Sequence, residues 1–263
     1  MAWLHLDHLP VSVKMNLPLN LILPDPGEMK GIPVRDRKVL YLLHGLSDDG
    51  SAWQRYSAIE LYARKYGLVV VMPSAGRSFY LDQPNGQGYF TYLVEELPRY
   101  LEEVFGIVAK RENTMIAGLS MGGYGAMKAA LLHPEQYSAA ASFSGVLVLN
   151  YAFARPDDPN RTEFETLFGD LSKVPGSLHN PLIMLQKVAS EASRLPRLYV
   201  SCGLQDDLYP MSLVFRDTAK ELGIPVDYFE GEGKHDWYFW NAQIQRFLEM
   251  ELEPGTSIEN QDG

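Results

Sequence analysis

Cysteine is almost absent from this chain. One thiol, Cys202, occurs in 263 residues, which excludes an internal disulfide, a cysteine zinc cluster and any dependence on an oxidising compartment. Long apolar runs are also missing, and none approaches the ~20 residues a membrane-spanning helix needs. The start, MAWLHLDHLPVSVK, has neither the basic opening nor the unbroken apolar stretch of a secretory signal, so a cytoplasmic protein with no membrane partner is expected. Positive charge is in deficit. Lys and Arg total 23 against 33 Asp and Glu, a net charge of −10, which argues against a nucleic-acid partner, since that needs a basic face. Three motifs are missing as well: the phosphate loop G-x-x-x-x-G-K-[ST], a G-x-G-x-x-G after a strand, and H-E-x-x-H. No cofactor and no metal site are expected, and Asp157-Asp158 reads as a solvated loop.

What is present is a core. Apolar residues make up 46% of the chain, and the length suits one α/β domain over residues 1–252. Residues 3–23 read as antiparallel strands, and the Pro-, Gly- and charge-rich stretch 25–37 as a loop. Short apolar runs at 39–43, 68–73, 114–118 and in AAASFSG read as buried strands. Helical spacing follows at 59–66, 89–105 and 121–132, with Pro98 expected to bend or restart the second of these. Segment 150–195 breaks the alternation and reads as a lid inserted between the fourth and fifth buried strands. RLYVSCG, a helix at 211–222, VDYFEG and a helix at 237–250 complete the pattern, and the polar tail 253–263 is expected to fray. Such alternation predicts a mostly parallel sheet with helices on both faces and its site at the carboxyl ends of the strands.

Those strand ends carry the chemistry. Gly118-Leu119-Ser120-Met121-Gly122 matches G-x-S-x-G between a strand and a helix, the context in which Ser120 is a nucleophile. A serine hydroxyl needs a base, and the base an orienting carboxylate. Of six histidines, only His179 and His235 follow Ser120 usefully. His235 lies between the last strand and the last helix, so it is the candidate base. Asp206 and Asp207 follow the fifth buried strand, and spacing alone does not choose between them. Asp236 is too close to the base to reach its far ring nitrogen. Met121 N–H at the helix start and Leu46 N–H after the first buried strand are the candidate oxyanion donors. His44 reads as a hydrogen-bonded structural histidine, and His5, His8 and His133 as surface or packing residues.

The chain resembles the esterase D group of α/β-hydrolases, which holds tributyrin and acetyl esterases, S-formylglutathione hydrolases, feruloyl esterases and mycolyltransferases. The carrying motifs are YLLHGLSDDGSAW (41–53), ELP (96–98), IAGLSMGGYGAMKAAL (116–131), FSG (143–145), CGLQDDLY (202–209) and GKHDWYFW (233–240). The likeness is strongest to tributyrin and acetyl esterase-type carboxylesterases. It implies the α/β-hydrolase fold and supports Leu46 and Met121 as oxyanion donors. It also implies Asp206 as the acid, with Asp207 at a variable position. The formylglutathione branch carries a Cys after its oxyanion loop and a His after the elbow glycines, where this chain has Ser47-Asp48 and Tyr124. A serine carboxylesterase acting on small acetyl to butyryl esters is therefore expected. The alternatives are an S-formylglutathione thioesterase, or acyl transfer to a sugar or other alcohol. The expected acyl pocket is walled by Leu182 and Met184 of the 182–185 apolar run, with Trp53 and Trp237 nearby in the family arrangement. The competing reading makes that run core packing. A homo-oligomer is left open.

Overall fold

The computed structural model describes residues 1–29, 32–152 and 159–252. The chain opens with two antiparallel strands, β1 (Ala2–His8) and β2 (Leu17–Leu23), paired so that Leu4 faces Leu21. β1 alternates between exposed and half-buried residues, as an edge strand with one wet face should. β3 (Val39–Leu43) follows, then helices α1 (Ala52–Tyr56) and α2 (Ile59–Tyr66), then β4 (Val69–Pro73). Every residue of β3 and β4 is buried, because helices cover both faces of the sheet and no position can be polar without loss.

The next helical run begins with α3 (Tyr89–Thr91), continues through a π turn at Tyr92–Glu96 and ends in α4 (Leu97–Phe105). Pro98 restarts the helix here rather than breaking it. Proline has no N–H to offer the carbonyl four residues back, and that orphan, Val94 O, accepts instead from Gln136 Nε2 at 3.0 Å.

β5 (Thr114–Leu119), α5 (Met121–Leu132) and β6 (Ala139–Phe143) lead into α6 (Leu149–Ala152), α7 (Arg161–Phe168) and α8 (Pro181–Val188). The chain finishes with β7 (Arg197–Gly203), α9 (Tyr209–Glu221), β8 (Val226–Gly231) and α10 (Trp237–Glu251). The strand order is β1-β2-β4-β3-β5-β6-β7-β8. All pairings from β4 to β8 are parallel. Strand alternation divides the core: Tyr41 and Leu43 join a layer with α5, α8 and α9, while Leu40 and Leu42 join one with α2 and α10.

Segment 150–195 carries more regular structure than its weak periodicity predicts. α7 buries Phe164, Leu167 and Phe168, and α8 packs on α5 and α9. Residues 153–158, within the charged stretch, lie outside the described residues, as does the tail 253–263. Met184 and Leu185 have no exposed surface at all. Truncating Met184 to Ala is therefore expected to cost about 2–5 kcal/mol of stability, the range for a buried methionine that leaves a cavity. Equilibrium denaturation checks this, and a loss below about 1 kcal/mol would mean that the side chain is not packed as described. No helix among the described residues is long and apolar enough to cross a membrane.

Candidate active site

The carboxyl ends of β3, β5, β7 and β8 meet at one edge of the parallel sheet. Ser120 sits in the turn from β5 to α5 with φ +52° and ψ −118°, a conformation that a non-glycine residue rarely adopts. The turn is held by Ser120 N–H to Phe143 O at 2.9 Å. It closes only because position 122 has no side chain: a Cβ on Gly122 would lie 2.4 Å from Leu43 O. The same space argument holds at the acid. A Cβ on Gly203 would meet Gly233 O at 2.3 Å. Its absence lets the β7 end lie against the β8–α10 loop, where Gln205 N–H donates to Gly233 O at 3.0 Å.

Those two loops carry Asp206 and His235. His235 Nδ1 is 2.9 Å from Asp206 Oδ2 and 3.2 Å from Oδ1. An ionised carboxylate can only accept, so Nδ1 carries the proton and Nε2 is left with its lone pair. Nε2 lies 3.1 Å from Ser120 Oγ. Asp206 is buried. Burial alone would raise its pKa, but the hydrogen bond and charge of His235, the Leu208 N–H and the Ser144 hydroxyl outweigh it and hold the carboxyl below its ordinary range. Asp207 is exposed. Asp236 is occupied elsewhere, capping α10 by accepting from Tyr238 N and Phe239 N.

Met121 N–H opens α5, so no carbonyl one turn earlier in the helix can take it. Its side chain is fixed by Phe79 N–H, which donates to Met121 Sδ at 3.3 Å. The loop that carries Leu46 runs beside the serine: a Cβ on Gly45 would lie 3.6 Å from Ser120 Cβ. That loop is braced from behind. Tyr80 Oη donates to His44 O at 3.2 Å, and Ala75 N–H donates to His44 Nε2 at 2.9 Å. Arg77 Nη1 reaches Leu46 O at 3.5 Å, while the rest of its guanidinium pairs with Glu163 of α7.

His44 must be neutral to accept from Ala75, so Nδ1 donates to Gly45 O at 2.7 Å. Complete burial lowers its pKa from the ordinary 6.5 to about 4. Between those values the unfolded chain binds a proton that the folded one refuses. The His44 contribution is thus intact above about 6.5 and is lost as pH falls toward 4, up to roughly 3 kcal/mol over that window. Wild-type Tm is expected to fall more steeply between pH 7 and 4.5 than that of His44→Gln. Parallel Tm–pH curves would show that His44 does not govern this loss.

The expected acyl pocket is corrected at two positions. Trp53 has no exposed surface and donates from Nε1 to Leu43 O at 2.9 Å. Met184 is equally sealed. Neither can wall an open pocket, because helix packing on the sheet encloses both. Leu182 is half-buried against the core. Trp237 meets Trp53 edge-on at 5.0 Å. It also lines a cleft of about 930 Å³ with Tyr56, Tyr238 and Asn241, a cleft that neither Ser120 nor His235 lines. Sequence reasoning missed Trp240, which stands edge-on to His235 with ring centroids 5.0 Å apart, and Ser144, whose Oγ accepts from Trp240 Nε1 at 3.1 Å. Both lay inside quoted motifs, FSG and GKHDWYFW, but nothing in their spacing gave them a role.

A family model described as "Putative esterase" matches residues 12–249. The chain is 32% identical to an acetyl esterase of Caldicellulosiruptor saccharolyticus over 259 residues, 95% of this chain and 97% of that protein. It superposes with TM-score 0.87 and 32% identity on the substrate-bound fluorophosphonate-binding serine hydrolase F of Staphylococcus aureus, covering 96% of this chain and 98% of that one. An S-formylglutathione hydrolase of Staphylococcus aureus matches with TM-score 0.85 and 32% identity, covering 96% and 99%.

Proposed function

The chain belongs to the esterase family and has the α/β-hydrolase fold, and on that premise we propose that it is a serine carboxylesterase hydrolysing short-chain acyl esters through Ser120, His235 and Asp206. The observation that supports this most directly is His235, which lies 3.1 Å from Ser120 Oγ on one side and 2.9 Å from Asp206 on the other. In this reading Ser120 Oγ attacks the acyl carbon as His235 Nε2 takes its proton. The carbonyl oxygen becomes an oxyanion, held by the Leu46 and Met121 N–H groups. Collapse expels the alcohol, which receives the proton from His235. The acyl group stays on Ser120 until water, deprotonated by the same imidazole, attacks and releases the acid. Asp206 keeps the ring oriented and stabilises its transient positive charge.

Similarity to an acetyl esterase supports acetyl to butyryl esters as the preferred class. Within this reading segment 150–195 acts as a lid, supported by the Arg77–Glu163 pair that joins α7 to the loop of Leu46. A second reading, thioester hydrolysis, draws support from the likeness to S-formylglutathione hydrolase. One panel separates them: p-nitrophenyl esters graded from acetyl to dodecanoyl, with S-formylglutathione alongside. kcat/KM is expected to peak at acetyl to butyryl and fall steeply beyond, by about ten- to 200-fold for each methylene that no longer fits. A flat profile, or S-formylglutathione exceeding every oxygen ester, would overturn the proposal.

A further inference from the structure

Leu46 N–H belongs to the peptide unit whose carbonyl is Gly45 O. No cis peptide occurs among the described residues, so the C=O and N–H of this planar unit point in opposite directions. Whatever holds the carbonyl therefore aims the N–H. Two donors hold it: His44 Nδ1 at 2.7 Å and Asp48 N–H at 3.2 Å. The Asp48 bond closes a backbone turn that any residue there could make. The His44 bond depends on the side chain. That ring is completely buried and cannot swing, because Nε2 accepts from Ala75 N–H at 2.9 Å. On the opposite side of the peptide, Leu46 N–H has no protein acceptor among the described residues, and its loop passes directly beside Ser120. A hydrogen bond to a carbonyl also polarises the amide and strengthens its N–H as a donor.

We infer that His44 is a positioning residue for the hydrolysis: its Nδ1–H fixes and polarises the Gly45–Leu46 peptide, so that Leu46 N–H is aimed at the oxyanion before substrate arrives. The inference rests on the role proposed above for Leu46. The alternative is that His44 only braces the loop, in which case catalysis follows stability.

Two amides divide the work of the ring. In His44→Asn the amide nitrogen is bonded to Cγ, as Nδ1 is, so it can still donate to Gly45 O, while Ala75 N–H loses its acceptor. In His44→Gln the amide oxygen reaches the depth of Nε2 and accepts from Ala75, while the bond to Gly45 O is lost. Both should lower Tm. With p-nitrophenyl acetate, His44→Gln is expected to lower kcat about ten- to 100-fold with KM within about threefold, the scale of a misplaced oxyanion donor. His44→Asn is expected to recover most of that loss, to within about threefold of wild type. Losses in kcat that track Tm, or His44→Asn as the weaker enzyme, would overturn the inference in favour of bracing. A measurement on the wild type stands even where His44→Gln does not fold. A trifluoromethyl ketone adduct, which places an oxyanion against Leu46 N–H, should move the His44 Nδ1–H proton resonance downfield, and an unmoved resonance counts against the inference. Replacing Leu46 by its α-hydroxy acid puts an ester oxygen where the N–H was, and should cost about 10²- to 10³-fold in kcat. That variant crippled beside a fully active His44→Gln sinks this inference alone. That variant fully active sinks the reading of Leu46 on which it stands.

Discussion

Ser120→Ala is expected to remove ester hydrolysis while leaving the protein folded. In the proposed reading the nucleophile is one oxygen, and among the described residues His235 hydrogen-bonds to no other hydroxyl or thiol, Ser144 and Cys202 both being completely buried. The turn does not depend on Oγ. Its bonds are made by backbone groups, Ser120 N–H to Phe143 O and Tyr124 N–H to Ser120 O at 3.1 Å, and alanine keeps them. The residue also retains its Cβ at φ +52°, so backbone strain is unchanged. A loss of about 10⁴- to 10⁶-fold in kcat is expected, since the residual rate then comes only from binding and the oxyanion donors. Circular dichroism and Tm should match wild type within a degree or two. Labelling by a fluorophosphonate, read by peptide mass, should move from complete at Ser120 to none. A variant that kept a tenth of its activity, or was still labelled, would put the nucleophile elsewhere.

The second large effect separates two adjacent aspartates. Asp206→Asn should cost about four orders of magnitude in kcat. An amide in that place is neutral and offers an NH₂ where the carboxylate accepted, so it can hold His235 in the wrong tautomer and cannot stabilise the imidazolium. Asp207→Asn should change kcat by less than about twofold, because its side chain is exposed and stands outside the hydrogen bonds that hold His235. The burial contrast behind this is sharp: the Asp206 side chain has 0% exposure in its pair with His235, against an exposed Asp207. The reverse ranking of the two variants would mean that the acid had been misassigned. Equal, small losses would mean that His235 works without a carboxylate.

Much of this arrangement can be read from local sequence, and the reason is chemical. An apolar run followed by Gly118-Leu119-Ser120-Met121-Gly122 leaves the backbone few options, because only a strand, a tight turn and a helix satisfy those glycines together. The helix after the turn spans Met121–Leu132, as the spacing predicts, and the fifth buried strand spans Arg197–Gly203. His235 follows by elimination, since chain order and strand ends leave one histidine in a suitable loop. Segment 150–195 is less legible. Its helices α7 and α8 are eight residues each, and over two turns an apolar stripe hardly rises above chance.

Spacing left Asp206 and Asp207 open, and only the family resemblance chose between them; by itself the sequence determined the mostly parallel α/β layout, the approximate strand positions and the placing of Ser120 and His235 at strand ends. Each of these follows from short-range rules: apolar runs where both faces are covered, glycine where backbones touch, and chain order for loops at strand ends. Tertiary structure alone decided burial and partnership among residues far apart in the chain. It sealed Trp53 and Met184 in the core, where the sequence had them as pocket wall, and it took Trp237 to a flanking cleft. It also set Ser144 against Trp240, 96 residues away, and Arg77 between Leu46 and Glu163. Apolar character tells only that a side chain prefers to leave water. Which neighbour receives it depends on how whole helices settle on the sheet, and that is a sum over many contacts that no local pattern encodes.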